Sequence, residues 1–360
     1  MLLAEWHRHL VDAQDAARLP DYQCPTCHEP VRLHRGHQVP PYFAHLPRSA
    51  CQIISEHESP EHVRGKRQLA RFFAPWGPTS FERVLPAIHQ RADVWIARKG
   101  GPVALEFQCS PLSNGAVAQR TRGYYGLGVR PLWLLGSPYA HQRLGWSLIE
   151  RFACWLPGWG LCLLFWDVRQ DVLVVHHHLH QTAAGDYAGW DARLRSVVEL
   201  QVGRKPVVTQ ATVNLPRLRR RWAQAILQGD AGLRPIIEQL YLTGHHLAGF
   251  PPVLTTTQTT APIFGRGLLL WRIVMGAWLF ARPTRLTPEQ VTMFGQSAFR
   301  LVGGRTAGVQ FTARRVLPWA QKHLMEDLVR AELLRPTPKG WAVTGTPRWF
   351  RDYHDWLKNG

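Results

Sequence analysis

The hydrophobic positions change period several times along the chain, and each change marks an expected element. Residues 1–20 carry weak helical patterning. Residues 21–55 have little periodicity and are rich in Pro, His and Cys, which predicts a small knob held by a metal. Ser59-Pro60-Glu61 then reads as a helix start. Val63, Leu69, Phe72 and Phe73 recur near helical spacing until Pro75, Gly77 and Pro78 stop the helix. Three strand-like stretches follow at 80–85, 92–97 and 103–109, the last two joined by the turn Lys99-Gly100-Gly101. Residues 116–127 read as a helix and 130–135 as a further strand. Residues 56–136 therefore spell α-β-β-β-α-β, an α/β unit around a small mixed sheet.

Beyond that unit, residues 137–213 read as a helix and several strands, including 162–165 and 172–175. A Thr-rich stretch at 255–260 reads as a linker, and from Gly267 onward the pattern is helical. Residues 316–334 form an amphipathic helical pattern, and a turn and short strand follow from Pro336 to Thr344, the helix-then-wing order of winged-helix modules. The expected organisation is an N-terminal zinc-binding region at 1–55, an α/β domain at 56–150, and a basic, mostly helical region at 151–360.

Composition sharpens this picture. A length of 360 residues suits two or three domains, and 45% apolar with 19% charged residues excludes a disordered chain. Lys and Arg total 43 against 25 Asp and Glu, a formal charge of +18. That surplus favours a polyanionic partner, nucleic acid first, and argues against small cationic substrates. The apolar stretch from Phe152 to Trp166 is broken by Pro157 and glycines, and that from Gly267 to Ala281 carries Arg272, so no membrane span is expected. The charged N-terminus does not suit a signal peptide, which leaves a cytoplasmic protein as the expectation.

Several constellations carry chemistry. Cys24-x2-Cys27-x17-His45-x5-Cys51 has zinc-ligand spacing, with two thiolates in a tight turn and a later His and Cys to close a structural site. His28, His34 and His37 are rival ligands. Asp93 and Glu106 lie on neighbouring strand-like stretches, where a short turn can bring both carboxylates to one divalent ion, and Gln108 shares the face of Glu106. The alternative is an ion pair in which Arg91 or Arg120 neutralises the acids. Upstream, Glu58, Glu61, His62 and Lys66 share one face of the predicted helix. Arg120 and Arg122, on the helix after Gln108, could hold backbone phosphates. The sharpest basic cluster is Arg217, Arg219, Arg220 and Arg221, followed by Trp222, a pairing of arginine and aromatic that suits single-stranded nucleic acid. His176, His177, His178 and His180 alternate on a strand, which argues against a shared metal.

Three of these segments together resemble the competence protein CoiA family: Cys24-x-x-Cys27 with Tyr42-Phe43-Ala44-His45; Glu58-Ser-Pro-Glu61-His62 with Gly65-Lys66; and Arg91-Ala-Asp93-Val, Glu106-Phe-Gln108-Cys-Ser110, Arg120 with Tyr124, and Pro131-Leu-Trp133. That family is similar to nucleases of the PD-(D/E)xK type. The resemblance implies a restriction-endonuclease-like core and a Mg- or Mn-dependent deoxyribonuclease. It also implies a role in recombination of DNA taken up during transformation, with single-stranded or branched DNA and recombination proteins as partners. Asp93 and Glu106 would be the metal carboxylates. Gln108 stands where the commoner nuclease pattern has a lysine, and Lys66, His62 or Arg120 could supply the missing cation. Glu61 would belong to the same catalytic group. A catalytically weak DNA-binding recombination mediator and a defence-type endonuclease are the alternative readings.

Overall fold

The computed structural model describes residues 1–18, 21–36, 39–47, 51, 59–205, 214–281, 284–305 and 313–360. The chain forms two compact units, one of residues 1–178 and 189–206, the other of residues 179–188 and 207–360. Glu58, which the sequence places on the first helix face, and His37 lie outside the described residues.

The first unit opens with two hairpins. Strands β1 (Leu3–Trp6) and β2 (His9–Asp12) pair antiparallel, as do β3 (Val31–His34) and β4 (Tyr42–His45). The weak helical pattern expected over residues 1–20 therefore gives way to strands: Ala4, Ala13 and Ala16 turn inward onto Tyr22, Val31 and Phe43, a small core that needs short side chains. Helix α1 (Pro60–Phe73) starts where its signals predict, with the Ser59 hydroxyl accepting the His62 N–H and Pro60 at the first helical position.

The element order that follows is β5 (Thr79–Leu85), β6 (Gln90–Ile96), β7 (Val103–Gln108), α2 (Asn114–Gly126) and β8 (Arg130–Leu135). Helices α3 (Ser137–Ala140) and α4 (Trp146–Phe152) lead to β9 (Cys154–Leu156), β10 (Gly160–Asp167), β11 (Val172–Gln181), β12 (Tyr187–Leu194) and α5 (Val197–Val202). One mixed sheet runs in the order β12-β11-β10-β8-β7-β6-β5, with β9 added on β10; β8 is parallel to both β7 and β10. Strands 154–194, assigned by sequence to the C-terminal region, thus extend the same sheet.

Helix α1 packs on one face through Leu69 and Phe73 against Val94, Ile96, Leu105 and Phe107. Its approach to β7 is close: a Cβ at Gly65 would sit 2.1 Å from the Phe107 ring, so only glycine fits. On the other face Ala92, Ala104 and Val129 pack with Tyr124 of α2.

Two acids interrupt the β5–β6 ladder. Phe81 pairs with Val94 and Arg83 with Ala92, but Glu82 and Asp93 between them do not pair. Glu82 adopts a left-handed backbone (φ 53°), which turns its carboxylate inward beside Phe81. There Oε1 accepts from Lys66 Nζ at 2.7 Å and from the Leu2 N–H at 2.8 Å, and Oε2 accepts from the Leu3 N–H. This buried pair joins α1, β5 and the N-terminal hairpin.

The second unit contains α6 (Leu215–Leu227), α7 (Arg234–Leu242), α8 (Leu268–Leu279), β13 (Arg285–Leu286), α9 (Pro288–Leu301), α10 (Ala313–Arg330), β14 (Leu334–Thr337), β15 (Gly340–Val343) and α11 (Tyr353–Asn359). Helix α8 is apolar almost all round and is the centre of its core. The three short strands form a sheet in the order β13-β15-β14. Residues 255–260, read as a linker, are not simply solvent-exposed: Thr256 and Thr260 are buried, and the Thr260 backbone bridges to Gln181. Among the described residues no helix is long and apolar enough to cross a membrane.

The Lys66–Glu82 pair yields a stability test. Lys66→Met should destabilise the first unit by about 3–5 kcal/mol, because it leaves a buried carboxylate without its cation. Lys66→Met combined with Glu82→Leu should recover part of that loss in a denaturant titration, since neither charge then remains buried.

Candidate functional site

The zinc-spaced residues meet in space. Cys24, Cys27, His45 and Cys51 offer ligand atoms that all lie within 4.8 Å of one another, the one such cluster of His, Cys and carboxylates among the described residues. A turn closed by the Cys24 N–H to Glu29 and the His28 N–H to Cys24 presents the first two sulfurs. Strand β4 supplies His45, whose Nε2 is 3.3 Å from Cys27 Sγ. Burial, together with the Cys51 and Cys24 sulfurs, pushes the Cys27 thiol up to about 12. Burial, then Arg91, lowers His45 and favours the neutral imidazole that ligates metal. This soft, closed donor set could hold a metal such as zinc. The rival ligands are engaged elsewhere: His28 pairs with Glu5 and His34 stacks on Tyr42.

The second group sits where β6 and β7 part under the start of α1. The register of Val94 with Leu105 puts Asp93 across from Glu106. Asp93 Oδ2 accepts the Phe107 N–H at 2.9 Å, taking the place of a ladder bond, and faces His62 Nε2 at 3.2 Å. The His62 ring stacks over Phe107, which fixes its orientation. Burial works against ionisation of Asp93, but His62, through charge and hydrogen bond, and then Lys66 and Arg120 hold its carboxyl well below the usual range. Asp93 is therefore an anion at any working pH.

Glu106 is buried and faces α2. Its Oε2 accepts from Arg120 at 2.5 Å and its Oε1 from the Tyr124 hydroxyl. Arg120 also lies over the Trp133 ring. The two acids thus have separate basic partners, His62 and Arg120, close to the ion-pair alternative that the sequence offers. Gln108 turns its amide to the Ser110 carbonyl at 2.7 Å. Glu61 binds Ser137 through both its backbone N–H (2.7 Å) and its hydroxyl (2.6 Å), tying α1 to the end of β8. Beside Glu61 opens a cleft of about 1200 Å³ lined by Arg64, Ser137, Arg169, His176 and Arg193.

Three sequence assignments change. Lys66 is fully buried and its ammonium is committed to Glu82, so it does not replace the cation missing at Gln108. Arg120 is held by Glu106 and is not an outward phosphate contact, whereas Arg122 is exposed. Arg219 is fully buried: it donates to the Ala248 and Phe250 carbonyls at 2.6 Å each and packs on the Phe250 and Trp356 rings, so it cannot reach a phosphate. Burial lowers its guanidinium to about 10. Arg217, Arg220 and Arg221 remain exposed on α6. Of the histidine run, His176 pairs with Asp191 and His177 with His178.

One residue is missing from the sequence reading: Glu82 is a lone acid in an otherwise ordinary strand, and no local signal marks it. Tyr124, named with Arg120 in the sequence, lies four residues from it on one helix, which brings both side chains over Glu106.

Metal analysis of the purified chain should give about one zinc ion per chain. Cys27→Ser should abolish that content and lower the melting temperature, because the N-terminal core is small and leans on the site. Full zinc retention in Cys27→Ser would exclude this ligand set.

The Competence protein CoiA N-terminal domain model matches residues 4–54, and the Competence protein CoiA nuclease-like domain model matches residues 58–188. The Competence protein CoiA of Bacillus subtilis (strain 168) is 33% identical over 131 residues, which make up 36% of this chain and 35% of that protein. The chain thus spans about a third of the length of the curated relative it matches. No solved structure matches. With both domains matched in order and the zinc-spaced cluster and acid pair lying inside them, the chain belongs to the competence protein CoiA family.

Proposed function

We propose that the first unit is a divalent-metal-dependent deoxyribonuclease of restriction-endonuclease-like type, acting on DNA taken up during competence. The observation that carries this reading is the gathering of Asp93, Glu106, His62 and Arg120 at the parted end of β6 and β7, beside a cleft with arginines on its walls. The carboxylate oxygens are the donors that Mg²⁺ or Mn²⁺ prefers. Asp93 and Glu106 would hold the ion, which when bound polarises the phosphate and lowers the cost of making a hydroxide.

The chain's own residues do the rest. His62 and the Phe107 N–H keep Asp93 ionised and aimed. Arg120 and Tyr124 fix Glu106, the carboxylate that would help hold the ion. The Gln108 amide, steadied by Ser110, can orient a water but adds no charge. Arg64 and Arg169 line a path for backbone phosphates, while Arg193 on the same wall is paired with Asp167. The zinc-spaced cluster keeps a structural role. Recombination of the incoming DNA would be the setting.

A second reading, a catalytically weak DNA-binding recombination protein on the same fold, is favoured by one observation. Lys66 is locked to Glu82, so no lysine compensates for Gln108.

Labelled single- and double-stranded DNA with Mg²⁺, Mn²⁺ or EDTA separates the two. Under the first reading cleavage needs the metal, and Asp93→Ala or Glu106→Ala lowers it by roughly a hundredfold or more while DNA binding persists. Equal cleavage by wild type and Asp93→Ala would refute the site, and no cleavage by either would leave the binding reading.

DNA binding should also be steeply salt-dependent. Replacing Arg217, Arg220 and Arg221 by Ala should reduce the log–log salt slope by up to about 0.9 per phosphate contact on duplex and about 0.7 on single strands. Arg219→Ala should instead lower the melting temperature, because it empties a buried site.

A further inference from the structure

Neither family match extends past residue 188, so the second unit has no assigned role. Its element order from α8 is helix, short strand, helix, helix, strand, strand, and the three strands assemble as β13-β15-β14. That order and that pairing, with the first short strand beside the last, are the arrangement of a winged-helix module, with α10 as its third helix and the β14–β15 hairpin as its wing. We propose that α10 and this wing form a duplex-DNA-binding surface, built from residues other than those of the candidate nuclease site and the α6 arginines.

The faces of α10 support the assignment. Leu317, Ala320, Leu324 and Leu328 are buried in the core of the second unit, so the helix is anchored by one stripe. The opposite stripe carries Arg314, Pro318, Trp319 and Lys322, all exposed. Exposed cations occur along the helix at Arg314, Lys322 and Arg330, and the acids Glu326 and Asp327 lie toward its C-terminal end. Asp327 faces Arg272 and Arg330, and Glu326 faces Lys322 and His323.

A helix that enters the major groove does so with its N-terminal residues toward the base edges, and here that end carries the exposed Arg314 and the positive pole of the helix dipole, with Lys322 two turns further on. The wing is exposed from Arg335 to Lys339, and its two cations can reach the phosphates beside the groove. The exposed cations of this face, Arg314, Lys322, Arg335 and Lys339, are complementary to a polyanion. An apolar groove of about 670 Å³ beside it, lined by Val291, Met325, Pro336 and Trp341, is where a peptide partner would compete for the same face.

The test uses the full chain with Ca²⁺ in place of Mg²⁺ or Mn²⁺ and reads binding alone, so the structural zinc is kept and the fate of the nuclease proposal does not enter. Affinity for a labelled duplex and for a single strand of the same sequence is measured across a salt series. Lys322→Ala combined with Lys339→Ala should weaken duplex binding by roughly tenfold and reduce its salt slope by about 1.8, with little change on the single strand. Lys339→Glu alone, at an exposed turn that no core residue depends on, should weaken duplex binding in the same selective way and keeps the test valid if the double variant folds poorly. The α6 arginine variants should not show this duplex selectivity. Unchanged duplex affinity in both lysine variants would overturn the proposal and leave the face to a protein partner. Equal losses on duplex and single strand would also overturn it, since a groove-reading helix has no reason to bind both alike.

Discussion

Lys66 and Glu82 form an ion pair within the first unit, with no solvent at the ammonium and almost none at the carboxylate. Removing both charges from water is costly, and only close pairing and further hydrogen bonds offset it. The structure meets that demand from three directions. Helix α1 brings Lys66, the left-handed Glu82 turns its carboxylate inward from β5, and the Leu2 and Leu3 N–H groups complete its shell. The position of α1 over the sheet is set by the same contacts, and so is everything that α1 carries.

Two of the residues it carries belong to the candidate site. His62, four residues before Lys66, reaches Asp93, and Glu61 reaches Ser137 at the end of β8. Gly65 lets the helix come close enough for the His62 ring to stack on Phe107. A chain of non-local contacts therefore runs from the N-terminal hairpin through α1 to Asp93. The cluster of Cys24, Cys27, His45 and Cys51 stands at its other end, in a core too small to be rigid by apolar burial alone.

Charge in this protein is used in two ways. In the first unit two acids of the sheet each have a basic side chain at hydrogen-bond distance, His62 at Asp93 and Arg120 at Glu106. In the second unit two arginines are buried for structure: Arg219 caps backbone carbonyls between aromatic rings, and Arg272 bridges Leu254 to Asp327. The basic surplus left at the surface is correspondingly smaller than composition suggests, and α6, α10 with its wing, and the cleft beside Glu61 each carry part of it.

Local features of the sequence specified what depends on local physics. The Cys-x-x-Cys turn, the Ser59-Pro60 start of α1, the periods of β5 to β8 and the helical pattern before the C-terminal hairpin were all legible. Backbone geometry and side-chain alternation act over a few residues. The opposed placement of Asp93 and Glu106 followed from two strand periods and a short turn. What the sequence could not determine is which charges meet. Lys66 and Arg219 look like ordinary surface cations in the chain and are the most buried ones in the fold, because an ion pair or a carbonyl cap forms between groups 16 to 31 residues apart. The extension of the sheet through β12, the separate partners of Asp93 and Glu106, and the β13-β15-β14 order were likewise decided only by tertiary packing, where distance in space replaces distance along the chain.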